Sequence, residues 1–377
     1  MKTEIELREI AERFCLEGEV EEIAPYGSGH INDTYRVTCR SCDSQQITCR
    51  YILQRMNHQV FKNPRELMDN VVHVTDFLQQ QIRKNGGDPR REAINVIPDR
   101  EGRYWVELED GSCWRMYLFV EGATSYDAVE RPEDFYESAV AFGHFQKLLA
   151  DFPADSLFET IPDFHNTVDR LEQFMTACER DPYGRAADVE PEIRFVLDRK
   201  AECGVLCEML ERGEIPLRVT HNDTKLNNIL IDDVTGKGIC VIDLDTVMPG
   251  LLVNDFGDSI RFGASTADED EPDLAKVSFD LHLYEVYTKG FLEGCAGAVT
   301  DRELSMLPMG AILMTFECGM RFLTDYLEGD HYYKIHRKEH NLDRCRTQFK
   351  LVADMEKQLL QMREIVEHYR LSGQEEH

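Results

Sequence analysis

The sequence predicts an α+β protein in two lobes: a small one built on antiparallel strands over residues 1–120, and a larger, mostly helical one over residues 121–377. Three observations predict it. Period-two runs rich in β-branched residues cluster before Gly122, and helical periodicity dominates after Glu133. Two short apolar runs, "NNILID" and "GICVIDLD", then interrupt the helices as a hairpin around Gly236 and Gly238. A chain of 377 residues, 42% hydrophobic with 13 Pro, has enough apolar material for one large core or two linked ones.

The elements follow in order. An amphipathic helix opens the chain, and "VEEIAPYGSGHINDTYRVTCR" reads as strand, Gly-rich turn, strand. The alternation continues through "QQITCRYILQRM", a third strand. "NPRELMDNVVHVTDFLQQQIRKN" has apolar residues at helical spacing, with Asn63 as N-cap and Pro64 at the first position. Further strands are expected at "AINVIP", "RYWVELE" and "CWRMYLFVEG". Beyond Glu133 come "PEDFYESAVAFGHFQKLLADF", "HNTVDRLEQFMTACER" and "EIRFVLDRKAECGVLCEMLERG", then the hairpin. A last amphipathic helix runs through "LVADMEKQLLQMREIVEHYR" to a frayed tail, "SGQEEH".

The net charge of −29, from 42 Lys plus Arg against 71 Asp plus Glu, argues against non-specific binding to nucleic acid or anionic membranes. Neutral or cationic small substrates suit it better. The N-terminus lacks the apolar stretch of a signal peptide, and no window approaches the roughly 20 apolar residues of a membrane span. Twelve scattered cysteines without a secretion signal are expected to be reduced thiols in a cytoplasmic protein. Cys39 and Cys42 form a lone CxxC, which reads as a turn with two thiols rather than a zinc site.

The chemistry gathers in the second half. "THNDTKLNNIL" fits His-x-Asp-x-x-x-x-Asn through His221, Asp223 and Asn228. In that pattern the Asp faces an acceptor hydroxyl and the Asn reaches back to a magnesium ion, as transfer of a phosphoryl group from ATP requires. Lys225 is placed to meet the transferred phosphate. The metal Asp has two candidates: Asp243, ending the apolar strand of "VIDLDTV", and Asp255 in the tripeptide Asp-Phe-Gly. A hairpin leading directly out of Asn228 delivers Asp243, with Asp245 a possible second ligand. Asp255 is left to cap a helix or hold a loop. In the small lobe, Gly27, Ser28 and Gly29 sit between two strands, where backbone N–H groups can approach phosphates. The third strand has no Lys for the phosphates, so Arg55 or, in second place, Gln54 must stand in for it, and the partner acid on the next helix is Glu66 or Asp69. "MYLFVEG" occupies the place of an adenine-binding hinge, through backbone groups of Phe119 and Val120.

"THNDTKLNNILID" followed by "VIDLDTVMPG" resembles the aminoglycoside phosphotransferase and choline kinase family, over roughly residues 20 to 350. That resemblance implies a protein-kinase-like two-lobed fold, with ATP and Mg2+ as cofactors. "GSGHINDTYRV", "YILQRMNHQVFKNPRELMDN", "ETIPDFHNT" and "RFLTDYLEGDHYYKIHRKEHNLDRCRTQ" look most like the N-acetylhexosamine 1-kinases, which phosphorylate the anomeric hydroxyl of N-acetylglucosamine and N-acetylgalactosamine. The resemblance implies Asp223 as catalytic base, Asn228 and Asp243 as magnesium ligands, and sugar contacts at His30, Asp223, Phe262, Arg321 and Tyr332. On spacing alone, Arg321 reads as a helix-surface residue pairing with Glu317 or Asp325, and the two aromatics as core residues; the resemblance reverses that for Arg321 and Tyr332, less so for Phe262. The expected partner is therefore a small-molecule sugar. Competing readings are a kinase of a cationic acceptor such as an aminoglycoside, choline or homoserine, and a nucleotide-binding pseudokinase.

Overall fold

The computed structural model describes residues 2–27, 32–40, 47–58, 61–129 and 131–375. Two compact units emerge, and neither is one continuous stretch: residues 1–124, 156–161 and 230–248 form a sheet unit, and 125–155, 162–229 and 249–377 a helical unit.

In the sheet unit, helix α1 (Glu4–Ala11) starts at a capping box in which Thr3 and Glu6 satisfy each other's backbone donors. Strands β1 (Glu19–Pro25), β2 (Asp33–Arg40), β3 (Ile47–Met56), β4 (Val106–Glu107) and β5 (Cys113–Leu118) form an antiparallel sheet in the order β1-β2-β3-β5-β4. Alternation sends Val37, Cys39, Tyr51, Leu53, Trp114 and Met116 into one core with Leu7, Ile10 and Ala11 of α1. Helix α2 (Pro64–Lys84) has the predicted Asn63 cap and Pro64 start, and buries Leu67, Met68, Val71, Val74, Leu78 and Ile82. "AINVIP" forms no strand; Val96 only bridges Tyr117. The expected hairpin is present as Ile229–Asp232 and Gly238–Val241, with Ala123–Thr124 added on its edge.

The helical unit is organised by close helix crossings. Helix Pro132–Leu148 lies on Leu281–Cys295, and Leu252–Gly263 lies on Asp301–Leu327. At the second crossing, a Cβ on Gly257 would strike the carbonyl of Gly310, and one on Gly310 the carbonyl of Val253. By length and composition Asp301–Leu327 could cross a membrane, against the sequence expectation, yet 78% of its apolar window is buried inside the protein. The last helical run is broken at Gln358 into His340–Lys357 and Leu359–Glu375, and the second part extends through most of the expected tail.

Candidate active site

In the helical unit, strand Arg218–Thr220 leads into a loop whose backbone is held by side chains from below. Asn222 adopts a left-handed conformation (φ 64°), a costly state for a non-glycine residue that surrounding contacts must hold. Asp255 supplies those contacts. Its carboxylate accepts from His221 N at 2.8 Å, Asn222 N at 2.8 Å and Gln146 Nε2 at 2.9 Å. Burial pushes the Asp255 carboxyl upward, against the opposing pull of His221 and these backbone bonds. The buried His221 ring stands edge-on to Phe142 and Phe145. One turn further along the same helix, Asp258 accepts from Thr224 N at 3.0 Å and from Arg261 Nε at 3.0 Å, while Ser259 Oγ donates to Thr224 O at 2.7 Å. The Asp-Phe-Gly segment therefore holds the loop and does not cap a helix, whose N-cap is Leu251.

What this scaffold presents is a compact polar group. Lys225 Nζ lies 2.8 Å from Asp223 Oδ1, and Asn228 Nδ2 donates to Asp223 O at 2.7 Å and to Oδ2 at 3.1 Å. Burial disfavours the Lys225 ammonium, but Asp223 and then Asp258 outweigh it and hold its pKa above the ordinary value. Because the Asn228 amide nitrogen turns to Asp223, its oxygen is left without a hydrogen bond among the described residues, as a hard cation's ligand would be.

Further along the helical unit, Arg321 lies beside two aromatic rings, its guanidinium carbon 5.4 Å from the Phe164 centroid and 5.8 Å from that of Tyr333. It makes no ion pair with Glu317 or Asp325. Glu317 instead accepts from Thr167 Oγ1 at 2.6 Å and meets His165 Nδ1 at 2.9 Å, and Asp325 accepts the backbone N–H groups of His331, Tyr332 and Tyr333. Tyr332 is 70% exposed and packs edge-on to Tyr333. Both tyrosines lie within electrostatic range of Arg321. Arg321 and Tyr332 are thus brought together: Arg321 lacks the helix-surface ion pair, and Tyr332 lacks the core place, that spacing alone suggests. Phe262 is half-buried on the last turn of its helix, with no ring contact to them among the described residues.

The sheet unit carries the remaining candidates. Asp243 is exposed, in a left-handed conformation (φ 59°), just before the turn Leu244–Thr246. Asp245 is buried and ion-paired to Arg115, off the line of a hydrogen bond. Gln54 pairs across from Arg115 and accepts from its Nε at 3.1 Å and Nη2 at 2.9 Å. Arg55 falls on the opposite face, opposite the buried Trp114, and lies 3.4 Å from Asp33. Neither Glu66 nor Asp69 meets a strand cation: Asp69 pairs with Arg65 on the helix surface, at 3.9 Å. α2 is fixed instead by Asn70, which donates to Phe158 O at 2.7 Å and Val247 O at 3.0 Å and accepts from Phe158 N at 2.8 Å. At the hinge, Phe119 N–H is already taken by Arg50 O at 2.9 Å; Val120 N–H has no hydrogen bond among the described residues. Gly27 has φ 78° at the end of β1, whereas Ser28, Gly29, His30 and Cys42 lie outside the described residues. Cys39 is a core residue of β2.

Sequence reasoning missed Gln146, Asp258, Arg261, Asn70 and Arg115. The spacing of Asp255, Asp258 and Arg261, three apart on one helical face, was a readable signal for the first group. Arg115 became meaningful only once the sheet register was known.

Such a sheet with its hairpin, and a catalytic-type loop carried by helices, define a phosphotransferase with a kinase-like fold. Residues 22–288 match the model of the phosphotransferase enzyme family, APH, and the chain belongs to that family. Among solved structures it is similar to an aminoglycoside phosphotransferase from Alicyclobacillus acidocaldarius, with TM-score 0.61 and 13% identity over 96% of both chains. A choline kinase from Cryptosporidium parvum gives TM-score 0.55 and 16% identity, over 91% of this chain and 90% of that one. The amicoumacin kinase hAmiN, solved with AMP-PNP, Ca2+ and Ami, gives 0.57 and 12%, over 95% and 94%. At these identities the likeness is one of fold.

Proposed function

We propose that the protein is an ATP- and magnesium-dependent kinase that phosphorylates the anomeric hydroxyl of an N-acetylhexosamine to give the sugar 1-phosphate. The observation that carries the reaction is the Asp223–Lys225–Asn228 group on a loop locked by Asp255 and Asp258. Asp223 receives the proton of the attacking hydroxyl at Oδ2, whose one contact among the described residues is the 3.1 Å Asn228 bond. Lys225, held as an ammonium, places positive charge beside that carboxylate and near the transferred group. Asn228 Oδ1 and the Asp243 carboxylate are both oxygen donors suited to magnesium, which when bound would neutralise charge on the phosphate oxygens. In-line positioning and charge neutralisation supply most of the acceleration. Gly27 to His30 would cover the phosphates, Val120 would meet the adenine, and His30, Phe262, Arg321 and Tyr332 would contact the sugar.

The choice of a neutral acceptor rests on Arg321. It has a guanidinium without an ion pair among the described residues, while the nearby acids Asp258, Glu269 and Glu317 are each already engaged by Arg261 or His165. A cationic acceptor calls for the reverse, an uncommitted carboxylate. A hydroxyl- and amide-rich sugar can accept from Arg321 and lay a face on an aromatic ring.

The test is turnover of ATP and magnesium by the purified protein against N-acetylglucosamine, N-acetylgalactosamine, glucose, galactose, choline, homoserine and kanamycin, with phosphorus NMR of the product. A 1-phosphate of an N-acetylhexosamine is expected. Turnover with choline, homoserine or kanamycin alone overturns the acceptor, and no turnover with any overturns the kinase reading. Asp223→Ala should lower kcat by roughly 100-fold or more while leaving ATP affinity within about threefold.

A further inference from the structure

The third strand of this sheet, Ile47–Met56, contains no lysine, and helix α2 offers no inward acid to pair with one. The position is nevertheless not without a cation. In β5, Arg115 points to the same sheet face as Gln54, away from the core that α1 covers, and its side chain is 1% exposed. One guanidinium there joins four segments. It donates twice to Gln54 Oε1 of β3, lies 3.9 Å from Met68 Sδ of α2, and is ion-paired to Asp245 beyond the hairpin. The Tyr117 ring lies 5.0 Å beneath it. The other oxygen of Asp245 accepts from Asn32 Nδ2 at 2.7 Å, and Asn32 Oδ1 in turn accepts from Asn57 N at 3.0 Å. Both oxygens of Asp245 are therefore committed to the protein. Two residues earlier, Asp243 is exposed and set by a left-handed turn.

We propose that Arg115 is a positioning residue of the metal-binding loop: reaching from β5 in place of a third-strand lysine, it holds Asp245 against the sheet and leaves Asp243 as the loop's single carboxylate for the divalent cation. The inference rests on the kinase reading above and adds to it a task for Asp245, which the sequence leaves as a possible second ligand. Asp245 is a strut, not a second ligand. A buried ion pair is a suitable strut because breaking it leaves a charge stranded in a dry interior. Arginine suits the task better than lysine, since its fork can grip Gln54 and Asp245 at once.

The test measures ADP binding by calorimetry with and without magnesium, so that it does not depend on turnover. For the unaltered protein, magnesium should tighten ADP binding by about tenfold or more. In Arg115→Met that enhancement should fall at least threefold, with metal-free ADP affinity changed less than twofold; Arg115→Lys should lie between. Asp243→Asn should abolish the enhancement, and Asp245→Asn should weaken it only to the level of the Arg115 variants. A merely structural role predicts a lowered melting temperature with the enhancement intact. That result in Arg115→Lys, which keeps the charge and is the variant to rely on should Arg115→Met not fold, overturns the proposal, as does an enhancement lost in Asp245→Asn and kept in Asp243→Asn. If the unaltered protein binds no ADP under either condition, the kinase reading itself falls.

Discussion

Asp255 shows how much one side chain can determine. Its two oxygens accept three N–H groups from residues distant in sequence, and two of those donors belong to the backbone of the loop that presents Asp223. Asp255→Ala leaves those donors unmet in a buried place and should cost roughly 2–4 kcal/mol, read from urea unfolding, with kcat falling further than stability alone explains. Asp255→Asn keeps the volume but turns an amide NH2 toward N–H donors, so most of the loss should remain. An Asp255→Ala protein as stable as the parent would contradict the loop-holding role. The sequence permitted this assignment because the order of motifs is linear: a hairpin straight out of Asn228 must deliver Asp243, which leaves the later Asp another task. Arg115 is the contrasting case. Arg55, next to Gln54 on one strand, always takes the other face; whether Arg115 shares a face with Gln54 depends on the pairing of β3 with β5, which is not written in local residue pattern.

Helices and strands differ in how far their neighbours dictate them. The Asn63–Pro64 start of α2 was legible because capping is a local contact between a side chain and a backbone donor three residues on. "AINVIP" was not, since an alternating run becomes a strand only if an edge is available, and here Val96 finds one bridge to Tyr117 while Ile97 N–H goes to Met116 O. The crossing of Leu252–Gly263 with Asp301–Leu327 is equally invisible in sequence, although it carries Asp255 and Asp258 to the loop. Gly257 and Gly310 each approach backbone of the opposite helix too closely to admit a Cβ. Gly310→Ala should therefore push the helices apart and destabilise by about 1–3 kcal/mol or more, despite the better helix propensity of alanine. The check is a paired measurement of melting temperature and kcat; a gain in stability would mean the crossing can relax at no cost.

At the scale of the molecule, buried acids set the response to pH. Burial opposes ionisation of Asp258, but Arg261, Lys225 and His165 prevail and hold it below its ordinary 3.8; burial likewise opposes ionisation of Glu317, where His165 leads the groups that keep it below 4.5. Carboxylates with lowered folded values stabilise the fold above their unfolded pKa and lose that contribution as pH falls through the folded one. Asp258 and Glu317 should make the melting temperature drop below about pH 4, while Asp255, raised by burial, works the other way and costs stability as pH rises through its folded value. Glu317→Gln should shallow that acid slope, and a slope that it leaves unchanged would remove Glu317 from the account.

The broken chain course of the sheet unit has a consequence for the protein's synthesis. Residues 1–124 do not complete that unit; it also needs 156–161 and 230–248. At ribosomal rates of about 5–20 residues per second, the first strands wait several seconds for the segment bearing Asp243 and Asp245 to emerge. During that interval Arg115 is a buried cation in prospect without its counter-ion. A stop codon anywhere before residue 248 therefore yields a chain that lacks the closing piece of its own first lobe.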